Sequence, residues 1–133
     1  MGYRSNASIC CFEKAFEKFK EAYEKHNYTP DDVEKISEGV YILTWTWTKW
    51  YEEFDNVIAI NAVMSELTED EFNDRKEYAF KFIRVGEDDE DVEVESNRSG
   101  SEIFASFYSY TMVNFPDAEE IARDTSYWEK GVI

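Results

Sequence analysis

The sequence predicts an α+β domain in which an antiparallel sheet carries two helices on one face. Two kinds of periodicity predict it. Several segments alternate apolar and polar residues with period two, and two others repeat apolar residues at three- and four-residue steps. Their order is strand, helix, hairpin, helix, strand and then more strand. It matches a ferredoxin-like split β-α-β unit with a C-terminal strand and helix extension. With 133 residues the chain suits one domain, with residues 1–95 as core and 96–133 as extension.

Tyr3–Phe12 reads as a strand because Ala7, Ile9 and Cys11 alternate with Ser8 and Cys10. One of the two cysteines then faces the core and the other is half-exposed. Glu13–His26 is an amphipathic helix, with Phe12, Ala15, Phe16, Phe19, Ala22 and Tyr23 on one face. Pro30 is expected to end it, since proline disfavours helical dihedrals in the preceding residue. Val33–Ile36 pairs with Val40–Trp50 across a Glu38-Gly39 turn. In that second arm Leu43, Trp45 and Trp47 share one face, and the threonines share the other. A second helix spans Asp55 to Leu67, with Asp55 as N-cap and Val57, Ile58, Met64 and Leu67 inward.

Tyr78–Val85 alternates again, and Gly86 stops it. Glu87–Glu95 follows with seven acids in nine residues, but Val92 and Val94 alternate with Asp91, Glu93 and Glu95. This is the pattern of an edge strand with one wet face, where charge also blocks edge-to-edge aggregation. Asn97–Ser101 reads as a flexible loop, Ile103–Phe115 as a strand, and Pro116–Ala122 as a short helix entered through proline.

Thirty acidic residues against fourteen basic give a net charge of −16, yet hydrophobic residues make up 43% and aromatics 17%. The chain is therefore no disordered acidic tail, which would lack the apolar groups needed to offset chain entropy. The charge opposes direct binding to nucleic acid or to anionic membranes. No apolar run approaches the ~20 residues of a spanning helix. The adjacent cysteines cannot staple distant segments, which points to a thiol-keeping compartment.

Groups for catalysis are sparse. His26, the single histidine, lies at a helix end with no visible partner for general-base work. No glycine-rich phosphate cradle, zinc spacing or nucleophile elbow occurs. A calcium loop begun at Asp91 would use Glu93, Glu95, Ser99 and Glu102, but Ser96 stands where the sharp-turn glycine belongs. The sequence calls for no cofactor.

Met1-Gly2-Tyr3-Arg4-Ser5, the stretch Trp45–Tyr51 and the run Phe82–Asp88 carry a resemblance. Over roughly its first 95 residues the chain resembles small acidic accessory proteins of bacteriophages and related mobile elements. The resemblance supplies no catalytic residues. It implies a setting in which inhibitors of host defence occur, such as anti-CRISPR and anti-restriction proteins, several of them acidic DNA mimics.

The expectation is a non-enzymatic inhibitor in the cytoplasm of a host bacterium. Its acidic surface would block a basic, nucleic-acid-binding defence effector by long-range attraction. Asp88, Asp89, Glu90, Asp91, Glu93 and Glu95 would present the charge, and Trp50 and Tyr51 would serve as anchors. Homodimerisation stays open. One alternative is a sponge for a small nucleotide signal, with aromatics on the base and Arg4, Arg84 or Arg98 on phosphate. Another is an immunity protein neutralising a basic toxin.

Overall fold

The computed structural model describes residues 2–88, 90–103, 106–109 and 112–114. Its elements are β1 (Ser5–Phe12), α1 (Glu13–Lys25), β2 (Asp32–Ser37), β3 (Val40–Thr48), α2 (Asp55–Leu67), a 3-10 turn at Lys76–Tyr78, β4 (Phe80–Gly86) and β5 (Val92–Ser96). The sheet order is β2-β3-β1-β4-β5, with every neighbour antiparallel. This is the ferredoxin-like order with β5 added outside β4. The expected strand over 103–115 is instead two short ones, β6 (Ser106–Ser109) and β7 (Met112–Asn114), paired with each other. A thirteen-residue alternating run exceeds the usual strand length of about 5–6 residues, and here it folds back. The helix expected at Pro116–Ala122 lies outside the described residues.

Ala15, Phe19 and Tyr23 form the buried stripe of α1, one turn apart. The stop is local and does not wait for Pro30. His26 is the C-cap and Asn27 adopts a left-handed φ of 53°. The Asn27 N–H reaches the Glu24 carbonyl and the Tyr28 N–H reaches the Tyr23 carbonyl, the paired bonds of a Schellman motif. Gly39 provides the positive φ, 73°, of the β2–β3 turn.

In α2, Asp55 is the first helical residue rather than the cap; Phe54 precedes it and no side chain caps the end. Its charge still suits the positive end of the helix dipole. Val57, Ile60, Val63, Met64 and Leu67 face inward, while Ile58 is 49% exposed. A helix turns ~100° per residue, so Ile58 falls off the stripe that Val57 and Ile60 define.

Both faces of β1 are buried. Ala7, Ile9 and Cys11 join Leu43, Trp45, Phe80 and Phe82 beneath the helices. On the opposite face Cys10 and Phe12 cluster with Val40, Ile83, Val85 and Ile103. Neither cysteine is half-exposed, because β1 is the central strand of a sheet covered on both sides. Burial pushes the Cys10 thiol up to about 12 and the Cys11 thiol well above its ordinary value. We expect neither thiol to react with a disulfide reagent in the native state at pH 8, and both to react after denaturation. Fast native reaction would place one of them at the surface.

Candidate partner-binding surface

The acidic surplus is unevenly distributed along the chain. Residues 1–49 hold eight acids and seven bases, residues 50–103 seventeen acids and five bases, and residues 104–133 five acids and two bases. Helix α1 is neutral, with four acids against four bases, and the 50–103 stretch builds α2, the turns after it, β4 and β5. Glu52, Glu53, Glu69, Asp70, Glu71, Asp74 and Glu90 are all exposed.

Between α2 and β5 lies an open cleft of about 590 Å³, lined in part by Glu52, Ser65, Thr68, Glu93 and Glu95. On β5 the odd positions face this side, since Arg84 pairs with Glu93 and Phe82 with Glu95 across the strands. Val94, on the other face, is 51% exposed. β5 is the expected edge strand, but it is wet on both faces, with Val94 exposed on one and Glu95 on the other. Partial burial and the neighbouring Glu93 and Glu52 carboxylates raise the Glu95 pKa.

Not every acid of the run is available to a partner. Arg84 on β4 donates through Nη1 and Nη2 to Asp91, at 3.1 and 2.8 Å, and through Nε to Glu93 at 2.9 Å. It also reaches Ser5 Oγ at 3.0 Å. Tyr3 adds a hydroxyl bond to Asp91 at 2.8 Å and accepts one from the Asp88 N–H. The Tyr3 hydroxyl and the Asp91 carboxylate occupy the space a Cβ on Gly86 would need. A side chain at position 86 would push the Tyr3 hydroxyl or the Asp91 carboxylate aside. The bond from Arg84 is the main cause holding the Asp91 carboxyl below its ordinary value. Asp91 and Glu93 are structural as well as acidic, whereas Asp88 and Glu90 stay exposed and Asp89 lies outside the described residues.

These shifts set a pH dependence with opposing signs. Glu95 has a raised folded pKa, so acidifying through that value relieves repulsion. Asp91 has a depressed folded pKa, so its contribution is complete above the unfolded value, about 4, and is lost as pH falls further. Stability should rise slightly as pH falls from 7 through the raised Glu95 value toward that of an ordinary glutamate, about 4.3, and fall once pH drops below about 4. Glu95→Gln should flatten the rise in denaturation midpoints measured across that window; an unchanged slope would assign it to other carboxylates.

The expected aromatic anchors are rearranged. Trp50 is 7% exposed and packs against Trp45, Phe82 and Tyr28, so it is core and no anchor. Tyr51 is half-buried with its ring 4.9 Å from that of Phe54. Trp47, assigned by alternation to the core, is 49% exposed. The cause is a β-bulge: Ala7 faces Trp45 and Ser5 faces Thr48, so Asn6 stands opposite two residues. Trp47 takes φ 53° there, its N–H held by Asn6 Oδ1 at 2.7 Å.

The residues of the calcium loop do not converge on a cation position. Asp91 and Glu93 are engaged by Arg84 and the flanks are strand and turn. Among the described residues no group of three or more His, Cys, Asp or Glu side chains is placed to hold a metal. Arg98 forms two bonds to Asp74, at 3.0 and 2.7 Å, so two of the three arginines named for phosphate are committed to carboxylates. Asn97–Ser101, read as a flexible loop, is anchored: Asn97, Ser99 and Gly100 are buried. Among the described residues no helix is long and apolar enough to cross a membrane. No family model matches the chain, and no curated protein or solved structure matches it either.

Proposed function

We propose that this protein is a non-enzymatic inhibitor that occupies the basic, nucleic-acid-binding groove of a host defence effector. The observation that carries this reading is the concentration of charge. Seventeen acids against five bases fall in residues 50–103, the stretch that holds α2, β4 and β5. Self-repulsion of that size exceeds the roughly 2–8 charges that keep a small domain soluble. Spaced carboxylates on α2, its following turn and β5 can stand in for phosphates and steer association with a cationic groove. The resemblance to acidic phage accessory proteins agrees with this setting, in which the protein would act in the host cytoplasm.

Immobilised protein is exposed to bacterial lysate at about 0.1 M and about 1 M salt, where the screening length falls from ~10 to ~3 Å. A nucleic-acid-binding protein should be retained at low salt, released at high salt, and displaced by added DNA or RNA. Retention that ignores both salt and nucleic acid would overturn the reading.

A further inference from the structure

We propose that β5 is a docking edge that takes up a basic, extended segment of the partner as a further antiparallel strand. This rests on the inhibitor reading for the partner being a basic protein, and it adds how that partner is held. β5 closes the five-stranded sheet, and among the described residues no strand lies outside it. An open sheet edge is a template for strand addition, in which main-chain bonds give affinity and alternate side chains give specificity.

Register decides which backbone groups face out. The Gly86 N–H bonds the Asp91 carbonyl and the Phe80 N–H bonds Asn97 Oδ1, so the even residues of β4 turn their backbone toward β5. Their partners there are Glu93, opposite Arg84, and Glu95, opposite Phe82, whose backbone groups therefore point inward. Direction alternates along an antiparallel strand. Val94 thus presents both its N–H and its carbonyl at the free edge, flanked by the Val92 carbonyl and the Ser96 N–H. The Val92 N–H is taken instead by the Glu90 carbonyl.

Side chains on this edge select a basic strand. Glu93 and Glu95 stand on the face beside α2, where Glu52 lines the same cleft, and Val94 is 51% exposed on the other face. Residues directly opposite each other in an antiparallel pair share a face. A lysine or arginine opposite each glutamate therefore meets a carboxylate, with an apolar residue between them on Val94. The pattern selected is basic, apolar, basic. Arg84 already bonds Glu93, which makes Glu95 the principal acceptor. Partial burial and crowding by Glu93 and Glu52 raise its pKa, and an incoming cation relieves that crowding. A second copy of the chain fits badly, because two β5 strands paired about Val94 set Glu93 of each against Glu95 of the other. Residues 104–133 hold only Arg123 and Lys130 as bases, too far apart to supply the pattern.

The experiment titrates the intact protein with the peptide Ser-Thr-Arg-Val-Arg-Thr-Ser at about 0.1 M salt, followed by calorimetry and by amide hydrogen exchange in NMR. The peptide should bind with a Kd below about 1 mM. At saturation it should slow exchange of the Val94 and Ser96 amides about tenfold or more, while the Glu93 and Glu95 amides, already bonded to β4, change little. The same peptide N-methylated at its valine keeps its charge and should bind about tenfold more weakly. Glu95→Lys should weaken binding about tenfold or more, and so should Val94→Pro, which removes one outward N–H where an edge strand tolerates proline; circular dichroism checks that each variant is folded. Equal affinity for the N-methylated peptide, or no protection at Val94 and Ser96, overturns the proposal, as does absence of binding up to several times that concentration. The inhibitor reading does not fall with it. That reading is decided by salt and nucleic-acid displacement, and Glu69, Asp70, Glu71 and Glu90 lie outside this edge.

Discussion

Asn97→Ala is expected to destabilise the fold by about 3 kcal/mol, lowering the thermal midpoint by roughly 10–15 °C. Asn97 is 2% exposed and its amide is fully used. Its Oδ1 accepts from the N–H groups of Phe80 and Gly100, at 3.2 and 2.9 Å, and from Ser99 Oγ at 3.3 Å. Its Nδ2 donates to the carbonyls of Leu67 and Tyr78, at 3.1 and 2.8 Å. One side chain thereby ties the end of α2, the start of β4 and the turn after β5. Truncation strands several buried groups at once, and each stranded group costs about 1–3 kcal/mol before relaxation. Asn97→Asp should also be costly, since a carboxylate would face two carbonyl oxygens. Gly100→Ala reports on the same anchor by another route, because a Cβ there collides with the Phe80 backbone. Chemical denaturation decides it; a loss under about 1 kcal/mol for Asn97→Ala would mean that water replaces these bonds.

The second large effect concerns charge. Replacing Glu69, Asp70, Glu71 and Glu90 together by lysine should abolish capture of the basic partner, with association slowed by roughly 10–10³-fold. The fold should survive, and stability should hold or rise as self-repulsion falls. Side chains at all four positions are exposed. The structured acids Asp91 and Glu93 are left in place to keep Arg84 satisfied. Stopped-flow association at several salt concentrations measures the effect, and circular dichroism confirms the fold. If the quadruple variant associates as fast as the parent, with the same salt slope, the acidic side is solubilising charge only.

Much of the architecture was legible because it rests on periodicity. Leu43 and Trp45 on β3, and Ala15, Phe19 and Tyr23 on α1, could be placed from spacing alone, as could the glycine at position 39. The errors have specific causes. Counting by two along β3 sent Trp47 inward and left Trp50 outside; a one-residue bulge opposite Asn6 reverses that assignment, and no propensity marks a bulge. Alternation leaves one of the two cysteines half-exposed, because it does not reveal that a strand is central and covered on both faces. Asn97 sat in a polar stretch, Asn97-Arg98-Ser99-Gly100-Ser101, whose composition signals a loop but not that its amide would meet three segments. The partnership of Arg84 with Glu93 becomes visible only once the β4–β5 register is known. The acidic excess itself was legible from composition, and the fold adds which acids stand free on the surface and which serve the structure.

The most direct test of the inhibitor reading is competition for the captured partner. Labelled DNA or RNA is bound to that effector at about 0.1 M salt, and increasing amounts of this protein are added. The account predicts stoichiometric displacement by the parent chain and none by the Glu69/Asp70/Glu71/Glu90 lysine variant. Nucleic acid that remains bound while the protein also binds would contradict it.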